Sequence, residues 1–220
     1  MCGRYNLIAT GQQIMAHFRL VSLPAHNPDY NIPPGQKILA VVQLDDVSNR
    51  AVGLHWGLIP SWAKDKTGSA RLINARAETL AEKVSFKNAY RHRRCLIPAT
   101  GFFEWQITED GKQPYHIHQP GNALFAFAGI WEHWEQGPET VYSCAIITSA
   151  AAGNIASIHD RMPVIIAPDA YNRWLAVENT VVEMADFLAA DTYSAMQLTP
   201  ISTRVNNPLH NDESLIVGQS

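Results

Sequence analysis

The strongest constraint on the fold is a series of short apolar segments of strand length, rich in β-branched and aromatic residues and separated by turn-forming residues. None of them approaches the roughly 18 apolar residues that a membrane helix requires, so no membrane span is expected. Many strands with short helices between them predict an α+β fold with a curled, mostly antiparallel sheet and short peripheral helices. The predicted strands are 37–44, 51–56, 94–98, 101–107, 114–118, 123–131 and 140–148, and 195–205 is predicted to be extended.

Helix and turn signals lie between these strands. Thr10 followed by Gln13 has the spacing of a capping box, which predicts a helix from residue 11. Pro168 is placed to open a later helix, and Asp110-Gly111 predicts a hairpin loop. The predicted helices are 11–19, 75–82, 84–92, 151–158, 169–176 and 181–189.

Length and cysteine usage restrict the class of protein. The chain has 220 residues and is 46% hydrophobic, which predicts one domain over 1–220, expected to be monomeric. Three widely spaced cysteines, Cys2, Cys95 and Cys144, fit neither a disulfide framework nor a CxxC metal site. We therefore expect no metal and no cofactor. A reducing, cytoplasmic location is the simplest interpretation, since the N-terminus also lacks the apolar core of a signal peptide.

Charge is unevenly distributed along the chain. The net charge of −3 argues against a protein that coats nucleic acid by bulk charge. Residues 64–94, in contrast, contain nine basic and three acidic side chains. This basic segment is either a set of solvated helix faces or a polyanion-binding surface. Four aromatic residues lie in or near it: Trp56, Trp62, Phe86 and Tyr90.

Cys2 is the most informative position for chemistry. If Met1 is removed, residue 2 carries a free α-amine and a thiol on adjacent carbons. An α-amine has a pKa of about 7.7–8.0, far below the roughly 10.4 of lysine, so much more of it is neutral and able to form an imine with an aldehyde. The thiol can then close a thiazolidine ring. The alternative is an incidental cysteine near a frayed terminus.

Two further side chains suggest proton transfer. Glu104 lies within an aromatic strand, where alternation places it on the same face as Phe102 and Gln106. Aromatic neighbours predict a raised pKa for this carboxyl, which suits a general acid or base. His159 precedes a short strand and can shuttle a proton or donate a hydrogen bond to a sugar oxygen. A solvated strand face for Glu104 and a plain surface turn around His159 are the alternatives.

Asn74 and two arginines are candidate substrate contacts. Asn74 can orient a substrate hydroxyl, although it is also a good N-cap for the helix predicted after it. Arg76 beside a helix N-terminus would make an anion site, and Arg161 can bind phosphate through both of its terminal nitrogens. His116 and His118 share a strand face but lack a third metal ligand at a known spacing.

Seven motifs together resemble the SOS-response-associated peptidase (SRAP) family of abasic-site processing proteins. They occur in family order and span nearly the whole chain. The motifs are Met1-Cys2-Gly3-Arg4-Tyr5, Tyr30-Asn31-Ile32-Pro33-Pro34-Gly35, Trp56-Gly57-Leu58-Ile59-Pro60-Ser61-Trp62, Ile73-Asn74-Ala75-Arg76-Ala77-Glu78-Thr79, Arg94-Cys95-Leu96-Ile97-Pro98, Gly101-Phe102-Phe103-Glu104-Trp105 and His159-Asp160-Arg161-Met162-Pro163.

The resemblance implies a protein that binds abasic sites in single-stranded DNA and crosslinks to them through its N-terminal cysteine. Cys2 would be the nucleophile after Met1 removal, and Asn74 would position the reacting groups. Glu104 would transfer protons and open the sugar ring, and His159 would stabilise the opened deoxyribose. The implied fold is a single α+β domain with a curled, barrel-like sheet and a basic groove. Action on DNA implies association with the nucleoid. The implied DNA contacts are Arg4, Asn31, Trp62, Arg76 and Arg161.

Two other functions stay open from the sequence. Cys2 can serve as the nucleophile of a cysteine-type peptidase, with His159 as its base. A non-catalytic module that binds single strands through the basic segment and Trp62 is the other possibility.

Overall fold

The computed structural model describes residues 2–43, 48–188 and 196–219. The strands in this part of the chain are β1 Tyr5–Leu7, β2 Asp29–Ile32, β3 Lys37–Gln43, β4 Asn49–Trp56, β5 Asn74–Arg76, β6 Arg94–Ala99, β7 Gly101–Thr108, β8 Gly111–His118, β9 Phe125–Gln136, β10 Glu139–Ala150, β11 Arg161–Pro163, β12 Ile165–Ile166 and β13 Gln197–Pro200. The α-helices are α1 Gly11–Phe18, α2 Lys87–His92, α3 Tyr171–Leu175 and α4 Val181–Ala185.

Five strands close into a barrel in the order β10-β4-β3-β6-β9, because β9 also pairs with β10. The pairing around the barrel is antiparallel except between β4 and β10, where Trp56 lies opposite Cys144. Closure leaves no free edge within this ring of strands. Short strands β5, β11 and β12 extend the barrel sheet. The predicted α+β fold with a curled, mostly antiparallel sheet is confirmed.

A second sheet brings the N-terminus to the aromatic strand. Its order is β13-β8-β7-β1-β2. In the centre of this sheet β1 pairs antiparallel with β7, with Tyr5 opposite Phe102. The three residues that precede β1 therefore run alongside the part of β7 that holds Glu104. This pairing is what places Cys2 and Glu104 in one region.

Strand alternation in β7 divides its aromatic residues between two cores. Phe102 packs into the main core between the sheets, whereas Phe103 belongs to a smaller cluster with Ile201, Val205 and Leu215. The period-two interpretation of this strand is therefore confirmed. Burial of each such side chain contributes roughly 1.5–3 kcal/mol, so the second cluster holds the C-terminal segment against β7.

The capping and hairpin predictions are confirmed. Thr10 and Gln13 form both hydrogen bonds of the capping box at the start of α1. The β7–β8 hairpin closes with Thr108 opposite Gly111. Gly111 has a φ of 125°, a conformation that side chains with a Cβ rarely adopt. Within the described ranges, we find no helix that combines the length and the apolar character needed to cross a membrane.

The helix predicted at 75–82 is wrong. Asn74–Arg76 form β5, which runs parallel to β10, and Ala77–Thr79 form a single 3₁₀ turn. Pairing with a buried strand satisfies backbone groups and buries Ala75, and this outweighs the helix propensity of the segment. The N-cap interpretation of Asn74 is wrong for the same reason.

Other helix predictions differ in extent. Residues 153–157 form a 3₁₀ helix within the predicted 151–158, and the helix predicted at 84–92 begins only at Lys87. The segment from Pro168 starts as a 3₁₀ turn before α3. Residues 189 and 195, at the ends of two predicted elements, lie outside the described residues.

Candidate active site at the N-terminus

Cys2 lies inside the protein rather than on a frayed end. Its side chain is fully buried, and the Asn74 side-chain amide donates a hydrogen bond to its backbone carbonyl at 2.9 Å. Burial, reinforced by the nearby Glu104 carboxyl, holds the pKa of the Cys2 thiol well above its usual range. The thiol is therefore protonated at neutral pH in this state. Cys95 and Cys144 are also buried and free.

Glu104 occupies a buried position on β7. The residue is only 3% exposed, which excludes the solvated strand face considered from the sequence. Burial raises the pKa of this carboxyl to about 7, as the aromatic neighbours predicted. A carboxyl that titrates near neutral pH can both give and take a proton under physiological conditions.

His159 faces Glu104 from the loop before β11. Its Nε2 lies 3.9 Å from Oε2 of Glu104. Its Nδ1 accepts a hydrogen bond from the Arg161 backbone N–H at 2.9 Å and lies 2.7 Å from Oδ1 of Asp160. Burial lowers the pKa of the imidazole. Nε2 is the ring nitrogen that faces the Glu104 carboxyl, while Nδ1 contacts Asp160 and Arg161.

Asn74 contacts the N-terminal segment from β5. Its place in β5, opposite Ile146 of β10, fixes the side chain beside Cys2. Oδ1 of Asn74 is buried and has no hydrogen-bond partner among the described residues. An unsatisfied buried acceptor is costly, so the position suits an incoming N–H or O–H donor.

Arg161 is held by other protein groups. Its Nη1 donates to Glu78 Oε1 at 2.5 Å and its Nη2 to Glu78 Oε2 at 3.0 Å, a bidentate pair. Nη2 also donates to the Thr148 carbonyl at 2.6 Å. Arg76, opposite Thr148 in the β5–β10 pairing, is exposed. Arg76 and Arg161, which were predicted to contact phosphate, thus lie on β5 and β11. Both strands pair with the end of β10.

Arg4 and Asn31 form an interior network. Arg4 Nη1 donates to Oδ1 of Asn31 at 2.8 Å and to the Val205 carbonyl at 2.9 Å. The Asn31 side-chain amide donates to the carbonyls of Asn207 and His210. Asn31 is buried, so any effect of this residue on DNA would pass through Arg4 and the C-terminal segment. The DNA-binding assignment of both residues stays a prediction.

The basic segment 64–94 divides into structural and solvent-facing groups. Arg94 is buried and donates to the carbonyls of Trp174, Tyr90 and Ala176. Arg93 pairs with Glu132. The polyanion interpretation therefore rests on the exposed members of the segment, which are Lys64, Arg71, Arg76, Lys83, Lys87 and Arg91.

Only one of the four aromatic residues associated with the segment is exposed. Trp62 is 63% exposed. Trp56, Phe86 and Tyr90 are core residues and are not part of a polyanion-binding surface. Their apolar rings complete the barrel interior and the packing of α2, where burial is worth more than a solvent-facing position.

The two histidines of β8 are held by ring stacking and by a hydrogen bond to Asn6. The rings of His116 and His118 stack with centroids 4.5 Å apart. Nε2 of His116 contacts the Asn6 side-chain amide at 2.9 Å, and burial lowers the pKa of His116 to about 3. His116 is therefore neutral at physiological pH.

Sequence reasoning missed Glu78 and Thr148. Glu78 is part of the motif around Asn74, and its position two residues after Arg76 was the available signal. Thr148 lies in an apolar strand that gave no signal. It accepts from Arg161 Nη2 through its backbone carbonyl at 2.6 Å and through its hydroxyl oxygen at 3.4 Å.

Comparison with known proteins identifies the family of the chain. The family model described as SOS response associated peptidase (SRAP) matches residues 1–208. Abasic site processing protein YoaM of Bacillus subtilis is 40% identical over 226 residues, covering 98% of this chain and 97% of YoaM. Abasic site processing protein YedK of Escherichia coli is 32% identical, covering 98% of this chain and 99% of YedK.

A solved structure shares the fold over its whole length. A crystal structure of a protein from Bacteroides thetaiotaomicron superposes with a TM-score of 0.84 at 24% identity, covering 100% of both chains. The family model spans all of the residues that surround Cys2. The chain belongs to the SOS response associated peptidase family.

Proposed function

We propose that this protein captures abasic sites in single-stranded DNA as a covalent thiazolidine adduct, formed by the amine and thiol of Cys2 after Met1 has been removed. The observation that carries the proposal is the placement of Glu104, His159 and Asn74 around Cys2. The names of YoaM and YedK, both abasic site processing proteins, support the choice of substrate.

The first step is opening of the sugar. An abasic deoxyribose is a cyclic hemiacetal, and opening it takes a proton from the C1′ hydroxyl and gives one to the ring oxygen. Glu104, with a pKa of about 7, is suited to both transfers. His159 can donate a hydrogen bond from Nε2 to the ring oxygen while Glu104 delivers the proton that makes it a hydroxyl. The product is an aldehyde at C1′.

The second step is imine formation. The neutral α-amine attacks C1′, and loss of one water molecule gives the imine. The free acceptor Oδ1 of Asn74 is placed to receive an N–H of the attacking amine. This step requires Met1 to be absent, because an amide nitrogen is not nucleophilic.

Ring closure determines the outcome. The Cys2 sulfur adds to the imine carbon while its proton passes to the imine nitrogen, either directly or through Glu104. Burial favours the neutral thiol until that moment. An open imine can undergo β-elimination and strand cleavage, whereas the closed ring cannot. The thiol therefore makes the protein a shield of the lesion rather than a lyase.

The test uses uracil-containing single-stranded DNA converted to abasic DNA by a glycosylase. Wild-type protein is expected to give a heat-stable adduct on a denaturing gel. Cys2→Ala retains the amine and is expected to give only an adduct that borohydride must trap. Cys2→Ser is the matched control for side-chain size. Equal yields of heat-stable adduct from Cys2→Ala and wild type would contradict the proposal.

Intact mass of the active protein supplies a second test. The proposal requires a mass that corresponds to loss of residue 1. Retention of Met1 in the fraction that forms adducts would overturn it. We take the protein to be a cytoplasmic monomer of one domain over 1–220 that acts on nucleoid DNA during the response to DNA damage.

The alternatives have less support. A cysteine peptidase needs a thiolate next to a histidine base, but the Cys2 thiol has a strongly raised pKa and His159 faces Glu104. A passive strand-binding module has no use for a buried carboxyl that titrates near 7. Removal of its own Met1 is a single-turnover peptidase activity that remains compatible with the adduct chemistry.

A further inference from the structure

Arg161 is held in its conformation by a carboxylate, an anionic acceptor like the phosphate groups of DNA. Glu78 binds both terminal nitrogens of the guanidinium, at 2.5 and 3.0 Å. This two-point geometry is the one that guanidinium groups form with phosphate. Nε of Arg161 is buried and has no hydrogen-bond partner within the described residues. The edge held by Glu78 is therefore the edge that a phosphate would have to use.

We propose that Glu78 is a carboxylate stand-in for a DNA phosphate, which holds Arg161 in the free protein and exchanges with a backbone phosphate when the strand binds. The inference rests on the proposed function in its choice of DNA as the ligand. It adds a residue that sets the affinity and selectivity of the site.

Exchange requires that Glu78 can leave while Arg161 stays in place, and the exposure of the two side chains allows this. The Glu78 side chain is 52% exposed, whereas that of Arg161 is only 13% exposed. An ion pair with an exposed partner is worth little because water competes for both charges. The bond from Nη2 to the Thr148 carbonyl is independent of Glu78 and belongs to buried strand β10. Glu78 can therefore swing into solvent while Arg161 stays in place.

The position of Glu78 also suits a group that competes with a DNA phosphate for Arg161. It lies in the 3₁₀ turn directly after β5, between exposed Arg76 and the Arg161 fork. A carboxylate and a phosphate cannot both remain at one guanidinium edge without strong repulsion. A strand that fails to place a phosphate at this point would leave the Glu78–Arg161 pair closed. Exchange therefore favours strands whose backbone follows the path past Cys2.

The test measures binding of an undamaged, fluorescently labelled single strand by anisotropy at fixed salt. Glu78→Gln removes the competing charge and is expected to lower Kd by roughly two- to fivefold, the size expected for release of a partly exposed ion pair. Glu82→Gln is the matched control. It removes the same charge from the same segment, and Glu82 forms no ion pair among the described residues.

Arg161→Gln distinguishes exchange at Arg161 from a general effect of removing a negative charge near the DNA. In that background Glu78→Gln is expected to leave Kd unchanged, because no guanidinium remains to be released. Weaker binding by Glu78→Gln would show that Glu78 only positions Arg161 and would overturn the inference. An equal gain from Glu82→Gln, or a gain that persists without Arg161, would overturn it too.

The inference and the proposed function fail separately. Absence of any heat-stable adduct with wild-type protein and abasic DNA contradicts the proposed function. Normal adduct formation together with unchanged or weaker strand binding by Glu78→Gln contradicts only the exchange.

Discussion

Nε2 of His159, in the loop before β11, lies 3.9 Å from Oε2 of Glu104 on β7. The carboxyl is buried, whereas the imidazole is 27% exposed. The pair therefore connects the interior around Cys2 to solvent. Under the proposed function, this pair is the route for proton transfer to the bound sugar.

The first prediction concerns the rate of adduct formation. Glu104→Gln keeps the size and polarity of the side chain but removes its proton transfer. We expect the single-turnover rate at pH 7 to fall by about 10²- to 10⁴-fold, the usual contribution of general acid–base catalysis. The wild-type rate should also show a titration near pH 7 that the variant lacks. An unchanged rate in Glu104→Gln would remove this residue from the mechanism.

The second prediction concerns stability and pH. Burial raises the pKa of Glu104 from 4.5 to about 7, so the folded state binds its proton more tightly than the unfolded chain. The stability associated with this proton is fully present below about pH 4.5 and is lost as pH rises to 7. Relative to wild type, Glu104→Gln should gain about 3 kcal/mol between pH 4.5 and 8, the linkage value for this shift. Denaturant unfolding at the two pH values checks this; a constant difference would contradict it.

The third prediction concerns Asn74. Asn74→Ala removes the bond to the Cys2 carbonyl and the free acceptor beside it. We expect a stability loss of about 1 kcal/mol together with slower adduct formation at saturating DNA. Asn88→Ala, at an exposed position of α2, is the control. A normal rate in Asn74→Ala would show that the residue only supports the fold.

The fourth prediction concerns Asn31. Its side chain joins Arg4 to carbonyls of the C-terminal segment. Asn31→Ala removes these part-buried hydrogen bonds and leaves Arg4 Nη1 only the Val205 carbonyl. The free energy of unfolding should therefore fall by about 1–3 kcal/mol. Denaturant titration measures this loss. A change below a few tenths of a kcal/mol would mean that water replaces the amide.

The fifth prediction concerns Trp62. As an exposed side chain it adds little to stability, so Trp62→Ala should change the free energy of unfolding by no more than about 0.5 kcal/mol. If a base stacks on the indole, affinity for single-stranded DNA should fall by about 1–3 kcal/mol. Anisotropy titration of wild type and variant measures the strand affinity. Denaturant unfolding of both proteins shows whether any loss of affinity comes from a loss of stability.

The local sequence pattern was sufficient to predict most of the strands. Alternation in Gly101–Thr108 placed Glu104 on one face with Phe102, and the capping box at Thr10 located the first helix. Residues two apart in a strand share a face whatever the rest of the chain does, and cap hydrogen bonds are formed within four residues. The aromatic neighbours of Glu104 likewise predicted its raised pKa, because burial follows from that face.

The tertiary structure decided everything that depends on contacts between distant segments. The segment after Asn74 has a helical composition, yet it pairs with β10 because a buried strand supplies hydrogen bonds that local propensity cannot outweigh. The same pairing placed Asn74 beside Cys2 and Glu78 against Arg161, 83 residues away. The sequence by itself indicated which side chains are candidates for the chemistry. Only the pairing of strands far apart in the chain determined which of them meet, since those contacts are set by the closed barrel and not by spacing.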